Sequence, residues 1–292
     1  MRVPRVLVVG EALIDIVNGA EIVGGSPANV ALGLGRLGVD VDLLTAIGAD
    51  ERGERIRQHL EASRVSVLAE SVCLGRTSTA RATVDSDGSA RYDFDIEWRL
   101  PTSAADGHDI IHVGSIACFL EPGGSDVAER ARLATASGKR VTFDPNIRPA
   151  LLKGVDARKR AEEVMKVASA VKLSDEDAAY LYPDHPLDAV IDQVLSLGPQ
   201  IVAVTEGGAG AVIAVPERRV RVTAPVVRVV DTVGAGDTFM ACLVASLAGL
   251  DDWTFTGRAL DGLLARCVQA AAITVTRPGA DLPWREELGR VS

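Results

Sequence analysis

The amino-acid sequence predicts an α/β fold: a doubly wound, mostly parallel sheet flanked by helices, with a small β appendage. Short apolar runs that are typical of strands alternate along the chain with stretches of helical periodicity. Strands that alternate with helices form parallel sheets covered on both faces. Because 292 residues, 47% of them hydrophobic, can bury a large core, we expect one domain over residues 1–292.

The predicted elements follow one another in a regular order. Apolar strand runs are predicted at 6–9, 41–47, 110–113, 141–143, 170–173 and 201–205. Helical periodicity is found between them at 53–63, 127–137, 157–167 and 187–197. Ligands of such a sheet bind at the carboxyl ends of its strands. Polar residues that directly follow a strand are therefore the first candidates for a functional site.

The segment 77–98 interrupts this alternation. It has no helical period, and Asp87-Gly88 is predicted as the turn of a β-hairpin. One face of the second strand is aromatic and apolar, and it carries Tyr92, Phe94, Ile96 and Trp98. Such a ribbon must cover something, and three interpretations stay open: an edge of the main core, a dimer contact, or a lid over a ligand.

Composition excludes several classes of partner. A net charge of -9 and a pI near 5.0 argue against nucleic acid and anionic membrane surfaces. The four cysteines are widely spaced in apolar contexts, which is typical of reduced core residues in a cytoplasmic protein. No apolar stretch of transmembrane length is free of glycine or charge. We therefore expect a cytoplasmic protein without a membrane partner.

An apolar helix predicted around Asp237 begins with a glycine turn. The backbone N–H groups of Gly234, Ala235 and Gly236 are expected at the positive end of the helix dipole, where they would bind an anion. Asp237 follows directly and can take the proton of an attacking hydroxyl, as the base of a phosphoryl transfer does. The alternative interpretation of Asp237 is a helix N-cap, a common role of aspartate.

Paired glycines precede the first predicted helix, at 28–37. Gly25 allows a ligand to approach the backbone, and Asn29 can donate to and accept from hydroxyl groups. Ser26 is the predicted N-cap and Pro27 the first helical residue. A Gly-x-Gly-x-x-Gly match within this helix is the basis of a nicotinamide-enzyme alternative. That alternative is disfavoured because no strand immediately precedes the match.

Three other segments follow predicted strands. Asp15 is placed to accept hydrogen bonds from a polyol, although a solvated loop aspartate explains it equally well. Arg148 lies between two prolines, and its planar guanidinium suits a transferring phosphate; an exposed loop arginine is the alternative. The glycine-rich turn at 205–210 can hold nucleotide phosphates as a nest of N–H groups, or it simply turns a hairpin.

Together these motifs resemble the PfkB, or ribokinase-like, family of carbohydrate kinases over essentially the whole chain. Segments 24–38 and 231–239 are similar to its two signatures. The resemblance implies a doubly wound α/β domain whose lid is formed by about 11–23 and 77–98. The aromatic face of that lid also leaves a homodimer contact open.

The resemblance further implies a role for each matching residue. Asp237 is implied as the catalytic base, the turn Gly234, Ala235 and Gly236 as the anion hole, and Arg148 as a contact to both phosphate and substrate. The implied sugar ligands are Asp15, Gly25, Asn29, Phe94, Arg148 and Asp237. The implied ATP ligands are Ser174, Thr205, Gly207, Gly210, Gly236 and Gln269.

Two metal sites are implied as well. Many relatives carry Asn-x-x-Glu in the magnesium and phosphate network, where this chain has Ser174-Asp175-Glu176-Asp177. Asp177 would replace the glutamate with a shorter reach. Mg²⁺ is expected because it accompanies ATP. Asp231 and the backbone of Val233 resemble the start of a loop that binds a monovalent cation such as K⁺.

The implied function is an ATP-dependent sugar kinase that phosphorylates a primary hydroxyl. Segments 10–15 and 144–148 are most similar to fructokinases, whereas 275–287 resembles ribokinases. Fructose is therefore the first expectation, with ribose, 2-keto-3-deoxygluconate and a nucleoside as alternatives. A non-catalytic sugar or nucleotide sensor is the alternative from another class. The intact Gly-Ala-Gly-Asp argues against it, because a sensor needs no base.

Overall fold

The computed structural model describes residues 4–84, 90–103, 107–255 and 258–289. The strands of these residues are, in chain order, β1 (Arg5–Val9), β2 (Leu13–Val17), β3 (Ala20–Gly24), β4 (Asp40–Leu44), β5 (Ile47–Gly48), β6 (Val65–Val67), β7 (Val72–Leu74), β8 (Thr79–Val84), β9 (Ala90–Asp95), β10 (Ile110–Gly114), β11 (Arg140–Asp144), β12 (Ala170–Ser174), β13 (Ile201–Thr205), β14 (Ala211–Val215) and β15 (Arg218–Val222). The α-helices are α1 (Ser26–Arg36), α2 (Glu51–Glu61), α3 (Gly123–Ala136), α4 (Ala157–Met165), α5 (Asp175–Leu181), α6 (Leu187–Ser196), α7 (Ala235–Ala248), α8 (Ala259–Thr274) and α9 (Arg285–Leu288).

The main sheet has the order β15-β14-β13-β12-β11-β10-β1-β4-β6 in the described part of the chain. Its strands pair in parallel from β6 to β13, and β14 and β15 add an antiparallel edge. Helices α1, α2, α7 and α8 contribute to the apolar core on one face, and α3 to α6 to the core on the other. The predicted doubly wound α/β fold is confirmed.

The strand order brings the carboxyl ends of five neighbouring parallel strands to one edge. The loops after β1, β10, β11, β12 and β13 all begin there. The strands themselves are buried apolar runs, because helices cover both of their faces. This edge is where the sequence predicts the site.

A second sheet of four strands has the order β3-β2-β8-β9. In β9 and the residues after it, exposure alternates as the sequence predicts: Asp93, Asp95 and Glu97 are exposed, whereas Trp98 is buried. The Trp98 indole N–H donates to the Ala117 carbonyl at 2.9 Å, which ties the end of this segment to the main domain. The predicted turn Asp87-Gly88 lies outside the described residues.

Helix α1 starts one residue earlier than the sequence predicts. Its N-cap is Gly25, with φ of 102°, and not Ser26. The predicted cap fails because the Ser26 hydroxyl binds a side chain elsewhere in the chain, as shown below. Gly33 and Gly35 are buried inside α1, and a Cβ on Gly33 would lie 2.7 Å from Ala241 Cβ. Gly33 of the Gly-x-Gly-x-x-Gly match thus allows α1 and α7 to pack closely against each other.

None of the described helices combines the length and the apolar character that crossing a membrane requires.

Candidate active site

The site is centred on the first turn of α7. Gly234 is the N-cap of this helix in the left-handed conformation, with φ of 78°, and Ala235 and Gly236 are its first two residues. The helix behind them is buried, so its dipole acts through a medium of low dielectric constant. N–H groups of a first helical turn have no carbonyl one turn earlier to bond. The turn can therefore receive an anion.

Asp237 is the third residue of α7 and is 8% exposed. It does not cap the helix, because Gly234 does. Its two oxygens accept hydrogen bonds from the other half of the chain: Ser26 Oγ donates to Oδ1 at 2.6 Å, and Asn29 Nδ2 donates to Oδ2 at 2.8 Å. The first turn of α1 therefore holds the carboxylate in one orientation beside the glycine turn.

A buried ion pair that the sequence analysis missed lies next to this turn. Lys172 Nζ donates to Asp144 Oδ2 at 2.9 Å, and both side chains are almost fully buried. Burial raises the pKa of Asp144 to about 6, and the nearby Asp177 and Asp237 also raise it, whereas Lys172 lowers it. Lys172 was hidden within an apolar strand run. A single charged residue within an otherwise apolar strand run is the signal that could have identified it.

Acidic residues near the carboxyl end of β1 face Arg148. Burial raises the pKa of Asp15 to about 6, and the charge of Arg148 lowers it. The carboxylate of Asp15 lies directly against Gly24, where any Cβ would overlap it. Ala80 pairs with Asp15 on one side and with Phe94 on the other, so the side chains of Asp15 and Phe94 lie on the same face of the small sheet.

Glu11 holds the loop that follows β10. Its carboxylate accepts a hydrogen bond from the backbone N–H of Ala117 at 3.1 Å and also bonds Ser115. Burial raises the pKa of Glu11 to about 7, although these hydrogen bonds and the charge of Arg148 lower it. The sequence analysis did not select Glu11 as a site residue, because an acid after a strand is common and its burial is visible only in the structure.

We expect Glu11→Gln to stabilise the protein at alkaline pH. The folded state holds the Glu11 proton up to about pH 7, so the free energy of unfolding falls as pH rises from the ordinary pKa of a glutamate through that value. Glutamine cannot ionise and its carbonyl still accepts from Ala117. Urea denaturation should give a gain on the order of 3 kcal/mol at pH 8.5 and little change at pH 5. An equal effect at both pH values would contradict this.

Asp177 and Ser174 form the start of α5. Ser174 Oγ accepts from the Asp177 N–H at 2.9 Å, and Asp177 Oδ2 accepts from the Ser174 N–H at 2.8 Å, which is a capping box. The other oxygen, Oδ1, accepts from the Ile147 N–H at 2.7 Å. Asp177 thereby fixes the backbone that leads into Arg148.

A cavity of about 610 Å³ extends from the glycine turn of α7 across the carboxyl ends of the strands. Its walls include Arg148, Lys172, Ser174, Asp177, Thr205, Gly207, Gly210, Ala235 and Gly236. Helix α8 contributes Val268, Ala271 and Ala272, and its C-cap residue Val275 continues the same face. Gln269 does not line the cavity, because it lies one position, or about 100° of helical rotation, from Val268. The contact of Gln269 with a nucleotide stays a prediction.

The segment before α7 is held by Asp231. Its oxygens accept from the backbone N–H groups of Val233 at 3.0 Å and Gly279 at 2.8 Å. These backbone hydrogen bonds lower the pKa of Asp231. In the part of the chain that the structure describes, there is no group of three or more His, Cys, Asp or Glu residues arranged to hold a metal ion.

Comparison with known proteins gives the family to which the chain is similar. The model of the pfkB family of carbohydrate kinases matches residues 5–287. A fructokinase of Salmonella typhimurium is 33% identical to this chain, and the match covers 98% of both proteins. A fructokinase of Rhizobium leguminosarum bv. trifolii is 34% identical to this chain, and the match covers 83% of this chain and 79% of the fructokinase.

Solved structures have the same fold. A fructokinase of Xylella fastidiosa with bound ATP has a TM-score of 0.83 at 25% identity and covers 97% of this chain and 96% of its own. A fructokinase of Vibrio cholerae O395 with fructose, ADP and a calcium ion has a TM-score of 0.82 at 26% identity and covers 98% of both chains.

Proposed function

Because the chain belongs to the pfkB family of carbohydrate kinases, we propose that it transfers the γ-phosphoryl group of ATP to a primary hydroxyl of fructose, with Asp237 as the base. The chain is a phosphotransferase with an alcohol acceptor and an ATP-dependent sugar kinase. One observation carries the residue assignment. A buried carboxylate, held by two side-chain hydrogen bonds, stands directly at a glycine turn that opens a buried helix.

The reaction requires an acceptor hydroxyl and a phosphoryl group in line. In our proposal Asp237 accepts the proton of the hydroxyl as the new P–O bond forms and the bond to ADP breaks. The N–H groups of Gly234, Ala235 and Gly236 stabilise the charge on the phosphoryl oxygens. Arg148 offers a planar pair of donors between the two substrates.

The sugar is proposed to bind on the β1 side of Asp237. Asp15, Asn29 and Arg148 would supply polar groups there, and Gly25 would offer its backbone. A Cβ on Gly25 would lie 2.6 Å from the Glu11 carbonyl oxygen, so only glycine fits at this position. Phe94 shares the face of Asp15 and would contact the apolar side of the sugar ring. Strands β2, β3, β8 and β9 would then act as a lid, which excludes water from the reaction. We also propose that the chain forms a homodimer through this lid.

ATP is proposed to occupy the cavity of about 610 Å³. Ser174, Thr205, Gly207 and Gly210 line its polar end, and the apolar face of α8 would contact the adenine. The exposed side chains of Val226 and Val229 also line this cavity. A flat purine would cover such apolar groups.

Two ions belong to the proposal. Mg²⁺ would neutralise charge on the ATP phosphates during transfer. The carboxylate of Asp177 lines the cavity, and both of its oxygens already accept hydrogen bonds from backbone N–H groups. Asp177 therefore fits an ion that is held mainly by the ATP phosphates and arrives with them. A monovalent cation would lie at Asp231 and the backbone of Val233. A double mutant of the fructokinase of Vibrio cholerae O395 was solved with fructose, ADP and a potassium ion, which supports the choice of K⁺ as the cation.

An ADP-release assay on a panel of sugars tests the function. We expect fructose to give the highest kcat/KM, ahead of ribose, 2-keto-3-deoxygluconate and nucleosides. A higher kcat/KM for one of these would replace fructose as the substrate. No turnover with any sugar, together with tight sugar or ATP binding by calorimetry, would instead establish the sensor alternative.

We expect turnover to depend on the ionisation of Asp15. Its pKa of about 6 in the folded protein means that the carboxylate loses charge as pH falls through 6, and with it the ability to accept two sugar hydroxyls. The kcat/KM for the sugar should therefore fall about tenfold per pH unit below pH 6. Asp15→Asn should lower kcat/KM at pH 8 and remove this acidic limb. If the limb persists in Asp15→Asn, another group causes it.

A further inference from the structure

Resting on the proposed kinase function, we propose that Lys172 is a catalytic residue whose ammonium group contacts the phosphoryl group during its transfer. Lys172 lies in the middle of β12 and is buried, yet it lines the ATP cavity. A charged residue at the floor of a ligand cavity, inside an otherwise apolar strand, has a purpose beyond packing.

The position of the ammonium group supports the proposal. A Cβ built on Gly236 would lie only 3.0 Å from Lys172 Nζ, so the ammonium lies directly beside the glycine turn that receives the anion. Among the described residues Asp144 is its one hydrogen-bond partner, at 2.9 Å. An ammonium has three N–H donors. Two of them therefore remain for the oxygens of a ligand at the turn.

The acidic residues around Lys172 keep its side chain positively charged and make that charge necessary for binding a phosphoryl group. Although burial favours the neutral amine, the carboxylates of Asp144, Asp177 and Asp237 raise the pKa of Lys172, so it carries a positive charge. A phosphoryl group that enters between these acids meets like charges on several sides. Lys172 offsets that repulsion where the negative charge is transferred, and the N–H groups of the turn alone carry only partial charges.

Asp144 acts as the positioning residue. One of its oxygens holds Lys172, and the other, Oδ1, is buried and makes no hydrogen bond within the described part of the chain. A competing structural explanation is that Lys172 exists only to neutralise Asp144. The two explanations differ in what happens when both charges are removed together.

The experiment compares Lys172→Met, the double variant Lys172→Met with Asp144→Asn, and the exposed control Lys159→Met. Calorimetry with Mg²⁺ and no sugar measures binding of ADP and of the non-hydrolysable ATP analogue AMP-PNP. We expect both Lys172 variants to lose about tenfold or more of the affinity for AMP-PNP relative to ADP, because charge-assisted hydrogen bonds to the terminal phosphate are lost. We also expect kcat to fall about 10²- to 10³-fold in both.

The double variant separates the explanations. It removes both charges of the buried ion pair together, so neither is left without its partner, and we expect it to fold even where Lys172→Met alone is destabilised. Melting curves check this. Recovery of kcat in the double variant, or an equal loss of AMP-PNP and ADP affinity, would overturn the proposal. If the wild type phosphorylates no sugar, the proposed function fails, but the comparison of AMP-PNP with ADP still tests Lys172 on its own.

Discussion

Replacing Asp237 with asparagine is expected to lower kcat by about 10³-fold or more, because asparagine cannot accept the proton of the sugar hydroxyl. The fold should tolerate the change. The carboxylate now accepts from Ser26 and Asn29, and both of those groups can also accept a hydrogen bond from an amide after a simple rotation. Calorimetry should therefore show affinity for ATP within a few fold of the wild type, while the coupled assay shows almost no ADP release.

Asp126→Asn is the matched control for this variant. Asp126 also lies in the first turn of a helix, α3, but it is exposed to solvent. Its replacement removes the same favourable interaction with a helix dipole and should leave kcat unchanged. A value of kcat in Asp237→Asn above a tenth of the wild-type value would show that another group removes the proton.

Replacing Gly234 with alanine is expected to disrupt both stability and turnover. Gly234 has φ of 78°, and a Cβ there would lie 2.8 Å from Ala280 Cβ and 2.9 Å from Ala280 Cα. The left-handed conformation costs a residue with a side chain about 1–2 kcal/mol, and the overlap with backbone costs about 1–3 kcal/mol more. Relief of the overlap moves the start of α7, and displacement of an anion-hole donor should lower kcat about 10²-fold or more.

Gly138→Ala isolates the conformational part of this effect. Gly138 has φ of 79°, almost the same as Gly234, but a Cβ there would meet no atom within 4 Å. Urea denaturation should give a loss of about 1–2 kcal/mol for Gly138→Ala and roughly twice that for Gly234→Ala. Only the latter should lose turnover. Equal losses of stability with normal turnover in both variants would show that the contact with Ala280 has no role.

Local patterns in the sequence were sufficient to predict most of the fold. The run at 201–205 coincides with β13, and the run at 110–113 falls one residue short of the end of β10. Buried parallel strands have this apolar signature in any context. The run at 41–47 divides into β4 and β5, because residues 45–46 leave the main sheet and the next two pair with β7. Pairing of that kind depends on distant residues.

The errors at the site have the same origin. Ser26 is a good N-cap by type, but its hydroxyl binds Asp237, 211 residues later in the chain. Lys172 pairs with Asp144 across two strands that meet only in the folded sheet. The rotation of α8 about its axis, set by packing, turns Val268, Ala271 and Ala272 to the cavity, and the contact of Gln269 with a nucleotide stays a prediction. Composition and spacing specify neither side-chain rotation nor long-range partners.

The hydrogen bonds between the first turn of α1 and Asp237 join opposite ends of the chain. During synthesis on the ribosome, a nascent chain that ends before Gly234 has Asn29 but neither the carboxylate nor the amide turn to which we assign the reaction with ATP. Contacts between residues so far apart in sequence require the closure of a long loop, which has an entropic cost. An immature chain therefore lacks the groups to waste ATP, and competence for turnover arises only when α7 joins α1.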